Sequence, residues 1–587
     1  MHIHDVLIVG AGPCGLAIAA RLHEHTPSAT FTDDEHQRYH WIRKHGSKIP
    51  LRNRRKNKDQ LPRSAPSPPS KLDMLVLDAD GDQWMTKWDR LFSLFGIKHL
   101  RSPMFFHIDP SDRDALLAYA YAQNRSSELQ CLPGCAGKEV SKHRKKKRLQ
   151  ARGGGGRVSQ SGPDIDERDR KDYFTPSTSV FRAHCEDVAR CYGLCGEKLV
   201  RQEKVVDIAF DEVDVLRDDD DNDDGAEHDS VISSSSFDLD SNTSSAPSKI
   251  FRISSDKGVH YARTVVLAIG PGNAPHVPEI RGLPSGTRHP GFSHAMHLPR
   301  FPPPSLEAKI NRGNATNVLI VGGGLTSVQL ADLALKKGVS KVWLLTRGAV
   351  KVKYFDIGLE WVGKFRNVKQ AEFWSADSDD ERLDMYLSAR NGGSITPRYR
   401  KILNSLVNAG GVSLHTYTTL DSVSWDPVAR TWRTSLRCCP PPPSKYSEDE
   451  CPTPFPSRED PSPPPFDYIV FATGMQSDIR TIPFLSSLQK KHPVTCAGGL
   501  PCLTEDMMWS DDVPLFVTGR FAGLRIGPGA PNLVGARIGA ERVAWGVEDY
   551  LGRGGKGGGE SVDGERIEDW SAARSNRFEG LGDVGGE

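Results

Sequence analysis

Net charge is almost absent: 76 lysines and arginines stand against 75 aspartates and glutamates, leaving +1 over 587 residues. That balance gives no global attraction to nucleic acid or to a membrane surface. Cysteine is sparse, at 11 residues without regular spacing, and an odd count fits a reducing compartment better than a disulfide framework. No Cys-x-x-Cys occurs, and no cysteine pair falls between Thr32 and Gln130, which excludes a dithiol redox centre in that stretch. Cys131/Cys135 and Cys191/Cys195 lack partner histidines and read as core or loop thiols, so no metal site is expected. No apolar run reaches the length of a membrane span. Met1 leads straight into an apolar strand without a basic-then-apolar leader, which predicts a cytoplasmic protein. The length suits two or three domains with ample core.

What is present is a pair of glycine fingerprints, each between a short apolar strand and a helix. Val6-Leu7-Ile8-Val9 runs into Gly10-Ala11-Gly12-Pro13-Cys14-Gly15, and Val318-Leu319-Ile320-Val321 runs into Gly322-Gly323-Gly324-Leu325-Thr326-Ser327. Gly10 permits a sharp turn, Gly12 lets a pyrophosphate approach the backbone, and Gly15 lets the helix pack on the strand. Pro13 loses only an N–H that a first helical turn leaves unpaired. The helix start then offers N–H groups and a positive dipole end to phosphates. A glycine-rich turn in an unrelated α/β protein is the alternative for either loop alone. Two such loops in one chain predict two bound dinucleotides, the usual pair being a flavin and the nicotinamide that reduces it.

The following strands differ at their ends. Ala29-Thr30-Phe31-Thr32 is followed by Asp33 and Asp34, whose carboxylates suit the free ribose hydroxyls of FAD. Lys341-Val342-Trp343-Leu344-Leu345-Thr346 is followed by Arg347, whose guanidinium suits a 2′-phosphate and so NADPH. An ordinary surface arginine is the other reading of Arg347.

Two more apolar strands end in a small residue and glycine: Thr264 to Gly270, and Tyr468 to Phe471 before Ala472-Thr473-Gly474. Their length suits parallel strands buried on both faces. The last ordered stretch reads as strand 514–519, a glycine loop 523–529 containing Gly529, and a helix from Asn532 whose N-terminus is placed to face the flavin. The fold expected is α/β, with two nested Rossmann-like domains. An FAD domain is assigned to 1–136, 172–313 and 466–551, and an NADPH domain to 314–437. The segments 137–171, 217–248, 438–465 and 552–587 are basic, acidic and serine-rich, proline-rich, and glycine-rich respectively, and read as insertions, a linker and a tail. The basic run from His143 to Arg148 reads as a solvated loop, with nuclear import as the other reading.

Gly10 to Pro13, the Gly322–Ser327 loop and Phe471 to Gly474 resemble the class B flavin monooxygenases, which include the flavin-containing, Baeyer–Villiger and N-hydroxylating enzymes. His99-Leu100-Arg101-Ser102-Pro103 is similar to a Leu-Arg-Asp-Pro stretch of the ornithine and lysine N-hydroxylases. Tyr173 to Ser177, ahead of an amphipathic helix to about Tyr192, and Phe292 to His297 resemble further segments of that group. The oxidative-stress growth-inhibitor proteins share the layout. Departures are Met475 where a tyrosine often follows Ala-Thr-Gly, and Phe95 where the N-hydroxylases carry a lysine. The resemblance therefore carries general chemistry rather than a substrate. It implies that NADPH reduces FAD, that O₂ adds at flavin C4a, and that retained NADP⁺ keeps water from the peroxide while a small molecule is oxygenated. A flavin reductase or dehydrogenase without oxygenation and a nucleotide-binding regulator are the alternatives. Gln83 and Trp84 are the candidates beside the flavin, although Trp84 and Trp88 also read as a core-facing helix stripe. His294 and His297 are read as structural or as lining the domain interface.

Overall fold

The computed structural model describes residues 2–24, 27–31, 35, 38, 41, 51–53, 58–60, 72–132, 135, 173–196, 198–212, 249–272, 275–284, 289–362, 366–438 and 463–552. Asp33 and Asp34 lie outside these residues, as do 137–171, 217–248, 439–462 and 553–587 of the expected insertions, linker and tail. Among the described residues, no helix is long and apolar enough to cross a membrane.

In chain order the first half supplies β1 (Ile3–Val9), α1 (Pro13–His23), β2 (Met74–Asp78), α2 (Thr86–Leu94), α3 (Thr178–Cys191), β3 (Val200–Gln202), β4 (Val205–Glu212), β5 (Lys249–Ser255), β6 (Val259–Leu267) and β7 (Phe292–His294). The second half supplies β8 (Asn317–Val321), α4 (Leu325–Lys336), β9 (Lys341–Leu345), α5 (Arg366–Trp374), α6 (Asp379–Arg390), α7 (Pro397–Asn408), β10 (Val412–His415), β11 (Thr418–Asp426), β12 (Thr431–Cys438), β13 (Tyr468–Phe471), β14 (Met508–Ser510), β15 (Val513–Val517) and α8 (Leu533–Tyr550).

Two sheets carry the molecule. The first has the order β14-β15-β6-β1-β2-β3, with β5 also paired to β6 and β4 to β5. The second has the order β10-β9-β8-β13-β7, all parallel. Val6 to Val9, Val318 to Ile320 and Ile469 to Phe471 are buried on both faces, the reason these strands are unbroken apolar runs. The small residues Ala17, Ala19 and Ala20 let Gly15 to Leu22 of α1 lie buried against its neighbours, α8 among them. A buried Arg21 joins α1 to α8 through a bidentate pair with Glu541, at 2.6 and 3.0 Å. Ser177 caps α3 by accepting the Val180 N–H at 3.0 Å, in the helix expected after Tyr173 to Ser177.

Five expectations are corrected. Residues 29–31 form no strand: Ser28 and Ala29 donate to the Pro110 carbonyl, and Phe31 turns back to Ser28. The place beside β1 is filled by β2, in parallel register Val6↔Met74 to Val9↔Leu77. β7 and β13 belong to the second sheet, outside the 314–437 assigned to it, because β13 lies directly against β8. The helix expected through Trp84 and Trp88 starts only at Thr86, since Met85 takes a left-handed φ of 72°. The glycine loop 523–529 begins as a short helix, Gly523–Ile526, and the proline-rich stretch starts after Cys438, which ends β12.

α2 spans the two sheets. Its Trp88 and Phe92 stack at 3.7 Å and pack on the first core, whereas Leu91 and the following Phe95 are buried in the second.

Candidate functional site

Both glycine loops leave the C-terminal end of the middle strand of a parallel trio, and the trios match bond for bond. Gly10 N–H donates to Leu77 at the end of β2 (2.8 Å), and Ala268 N–H donates to Val9 (2.9 Å). Gly322 N–H donates to Leu345 at the end of β9 (2.9 Å), and Ala472 N–H donates to Val321 (2.8 Å). The turns need glycine for the same reason. Gly10 has φ +111° and a Cβ there would stand 2.6 Å from the Ala268 carbonyl oxygen; Gly322 has φ +146°, and its Cβ would press into the Ala472 carbonyl. Gly15 has no room for a Cβ because the Gly10 carbonyl occupies the space.

Gly12 differs. Its backbone is extended, at φ −80° and ψ −170°, and nothing lies within 4 Å of where its Cβ would be. Pro13 opens α1 and no side chain caps it. Gly324 is alike, at φ −95° and ψ 179° with no side-chain cap on α4; across from its Cβ position lies only the Cα of Gly393, 4.0 Å away. Asn532 begins α8, again without a capping side-chain bond, and donates its N–H to Gly529 at 2.9 Å. By contrast Ser378 and Thr396 cap α6 and α7. Three uncapped helix starts thus stand ready for anionic or polar groups.

The loops are braced from the side. Asp78, at the end of β2, accepts the Ala11 N–H at 2.7 Å and the Asp80 N–H at 2.7 Å, while Met85 N–H donates to Ala11 at 2.8 Å. In the second trio Thr346 takes the equivalent place, its side chain 3.5 Å from the Cβ position of Gly323. Arg347 follows it, exposed, with no ion pair among the described residues. Ser327 is buried at the sixth loop position, and its Oγ has no hydrogen-bond partner.

The chain passes between the sheets twice, side by side. Pro275 bridges Met475, His276 N–H donates to Gly474 at 3.0 Å, and Thr473 Oγ1 donates to the His276 carbonyl. Gly270 and Gly474, at φ +61° and +86°, turn the chain out of β6 and β13. Arg520 donates to Met475 O and Ser477 Oγ, at 3.3 and 2.8 Å, and its burial lowers its pKa. His294 ends β7 opposite Phe471, and burial brings its pKa down to about 4.

Arg101 ties the stretch after α2 to the segment between β9 and α5. It donates to the carbonyls of Lys353, Tyr354, Phe355 and Ser394 at 2.9–3.2 Å, to Ser394 Oγ at 2.9 Å and to Asp356 Oδ1 at 2.5 Å. Its pKa is lowered by burial, against which the Asp356 carboxylate acts. The segment it holds forms one wall of an open cavity of about 520 Å³, flanked by α5 and α6 and lined by Tyr354, Phe355, Glu360, Trp361, Glu372 and Met385. Lys353 also lines it; burial first, then Lys351 and Arg101, lower its pKa. Ile357, in the same wall, lies 3.9 Å from the Cβ position of Gly529. The cavity therefore adjoins the start of α8.

The structure packs Gly10 against Ala268, two residues before Gly270, and Gly322 against Ala472 and Ser327, while Arg347 follows β9 on the other side of β8. Gln83 is exposed. Trp84 is buried, donates its indole N–H to Leu194 at 2.9 Å, and lies 3.5 Å from the Cβ position of Gly15, so it supports the loop from the core. Sequence reasoning missed Asp78, although Met74 to Asp78 shows the same apolar-run-then-acid pattern. It also missed the Gly392-Gly393 doublet opposite Gly324, and the Arg101 clamp.

No family model matches the chain, and no curated protein matches it by sequence. Solved structures do match. One is the FAD-bound cadaverine monooxygenase of desferrioxamine biosynthesis from Erwinia amylovora: 14% identity, TM-score 0.53, covering 94% of this chain and 95% of that one. A second is the ornithine N-hydroxylase of Kutzneria sp. 744 with reduced FAD, NADP⁺ and L-ornithine: 13% identity, TM-score 0.53, 94% and 100% covered. A third is L-lysine 6-monooxygenase from Pseudomonas syringae: 16% identity, TM-score 0.52, 93% and 100% covered. The likeness is one of fold. Over nearly its whole length the chain has the two-dinucleotide-domain architecture of these flavin monooxygenases.

Proposed function

We propose that the chain is an FAD-dependent, NADPH-reduced oxidoreductase that oxygenates a small molecule. The observation that carries this reading is the duplicated trio. Two loops, each closed by glycine at its turn and left open at Gly12 and Gly324, leave the C-terminal ends of the middle strands of two matching parallel trios. The residues present fit two dinucleotides. Gly10, Gly12, Pro13 and Gly15 would hold the FAD pyrophosphate at the start of α1, with Gly270, Gly529 and Asn532 toward the flavin. Gly322, Gly324 and Ser327 would hold NADPH, with Arg347 on its 2′-phosphate and Ala472 to Gly474 beside it. When bound, FAD supplies hydride acceptance from NADPH and transfer of reducing equivalents to O₂, chemistry no side chain provides.

The chain's own part is orientation and exclusion of water. Arg101 fixes one wall of the cavity, which, within the usual size range for small ligands, offers carboxylates at Glu360 and Glu372. Trp84 and Asp78 hold the first loop in shape. The solved relatives named above, one with FAD and NADP⁺ in place, support the assignment.

The test begins with purified protein. It should carry noncovalent FAD and be reduced faster by NADPH than by NADH. Arg347→Ala should weaken NADPH by about 1–3 kcal/mol and leave NADH nearly unchanged. Oxygen uptake should then be followed with a panel of short amines, thioethers and ketones. Oxygenated product matching the O₂ consumed supports the proposal. Conversion of all O₂ to H₂O₂ with every compound makes the protein a reductase, and absence of bound flavin overturns both readings.

A further inference from the structure

At the opposite end of β1 from its glycine loop, three ligand-bearing side chains converge. His2 and His4 are two positions apart and so lie on one side of an extended chain. Asp73 immediately precedes β2. Its place is fixed by the backbone: the N–H groups of Asp5 and Val6 donate to its carbonyl at 3.0 and 3.1 Å, and its own N–H donates to Asp5 Oδ2 at 3.1 Å. A single carboxylate oxygen of Asp73 lies 2.8 Å from His2 Nε2 and 2.9 Å from His4 Nδ1. The imidazole rings stand edge to face, 4.6 Å apart, and all three ligand atoms fall within 4.8 Å of one another.

We propose that His2, His4 and Asp73 bind one divalent transition-metal ion of the Zn²⁺ class. Two imidazoles and one carboxylate are the donor set of an open tetrahedral zinc site, with water in the fourth position. Nitrogen donors disfavour Ca²⁺ and Mg²⁺, which take oxygen ligands. Zinc bonds of about 2.0–2.1 Å place tetrahedral ligand atoms roughly 3.3 Å apart. The two close approaches need only open slightly and the imidazoles draw together. His2, with 73% of its side chain exposed, is free to make that movement, while His4 pairs with Ala262 on β6 and Asp73 is held by its backbone bonds to Asp5 and Val6. His260, on neighbouring β6, is paired with Glu203 at 2.7 Å and stands outside the set. The ion clips the start of β1 to β2. Gly10 lies six residues beyond His4, about 20 Å along a strand, so the ion takes no part in dinucleotide binding.

The experiment uses the full chain with no added tag at either end. Zn²⁺ titrated by calorimetry should bind at one equivalent in the micromolar range or tighter, and should raise the melting temperature. Co²⁺ in its place should give a visible d–d spectrum without a thiolate charge-transfer band, which separates this site from the cysteines. His2→Gln and His4→Gln should each weaken Zn²⁺ binding at least about tenfold and leave flavin content unchanged. The exposed His2 makes the first variant safe for folding. No binding by the wild-type chain, equal binding by the His2→Gln/His4→Gln double variant, or a thiolate-type cobalt spectrum would overturn the proposal.

Discussion

Gly10 and Gly12 are two residues apart and would fail for different reasons if given side chains. At Gly10 both the backbone, at φ +111°, and the Ala268 carbonyl forbid a Cβ. At Gly12 the backbone is extended and the space is empty. Gly10→Val should therefore cost the fold itself, read as loss of soluble protein or a collapsed melting transition. Gly12→Val should melt within a few degrees of the parent yet purify without flavin. Full flavin occupancy in a well-folded Gly12→Val protein would remove the first loop from the pyrophosphate site. Histidines give the same scale a pH dependence. His184 on α3 is buried, neither ring nitrogen has a hydrogen-bond partner, and burial brings its pKa from 6.5 down to about 4. Between those values the unfolded chain holds a proton that the folded chain lacks, so stability is full above pH 6.5 and declines as pH falls toward 4. His184→Leu should flatten that decline in denaturant titrations at pH 7.5 and 5; an unchanged slope would show that the ring is hydrated in solution.

At the scale of elements, the Arg101 clamp ties the stretch after α2 to the segment between β9 and α5. Arg101→Lys keeps the charge opposite Asp356 but loses the planar fork that reaches several acceptors at once. Stability should drop by on the order of 3 kcal/mol, because the carbonyls of 353–355 lose charge-assisted partners. Amide exchange should quicken at 353–356 while flavin content holds; exchange unaltered there would show that the cavity wall stands without the clamp. What sequence reveals at this scale follows from where the physical demand is local. The two strand–glycine–helix units were legible because a buried parallel strand, a turn and a phosphate-facing helix start each dictate residue types in one short run. Partner strands were not. Residues 29–34 read as a strand closed by acid, but 74–78 carry the longer apolar run; residues 28–29 instead bond Pro110, and β2 stands beside β1. β13 was placed in the wrong sheet because an apolar strand does not name its partner. Trp84 read as part of a helix because a left-handed methionine gives no sequence signal. The clamp itself was silent, since Arg101 bonds mostly to carbonyls that every residue has.

For the whole molecule, two trios on one template predict separable binding steps. With FAD in place, NADP⁺ at a hundred times its Kd should add about 2.7 kcal/mol to stability. Gly324→Val, whose Cβ would fill the open side of the second loop, should abolish that increment and keep the one due to FAD. Loss of both increments together would mean that the sheets fold as one binding unit. The clamp has one more consequence, for descent rather than for chemistry. Arg101 grips the chain at 353–355 by its peptide oxygens and leaves the side chains there uninvolved. Phe355 and Ile357 also pack with Phe106, Tyr173 and Val534, but lineages sharing this arrangement are free to exchange other residues of the cavity, such as Glu360 and Glu372, without re-docking the two halves of the molecule. What the cavity admits can drift under selection of its own, while the meeting of the sheets stays under another.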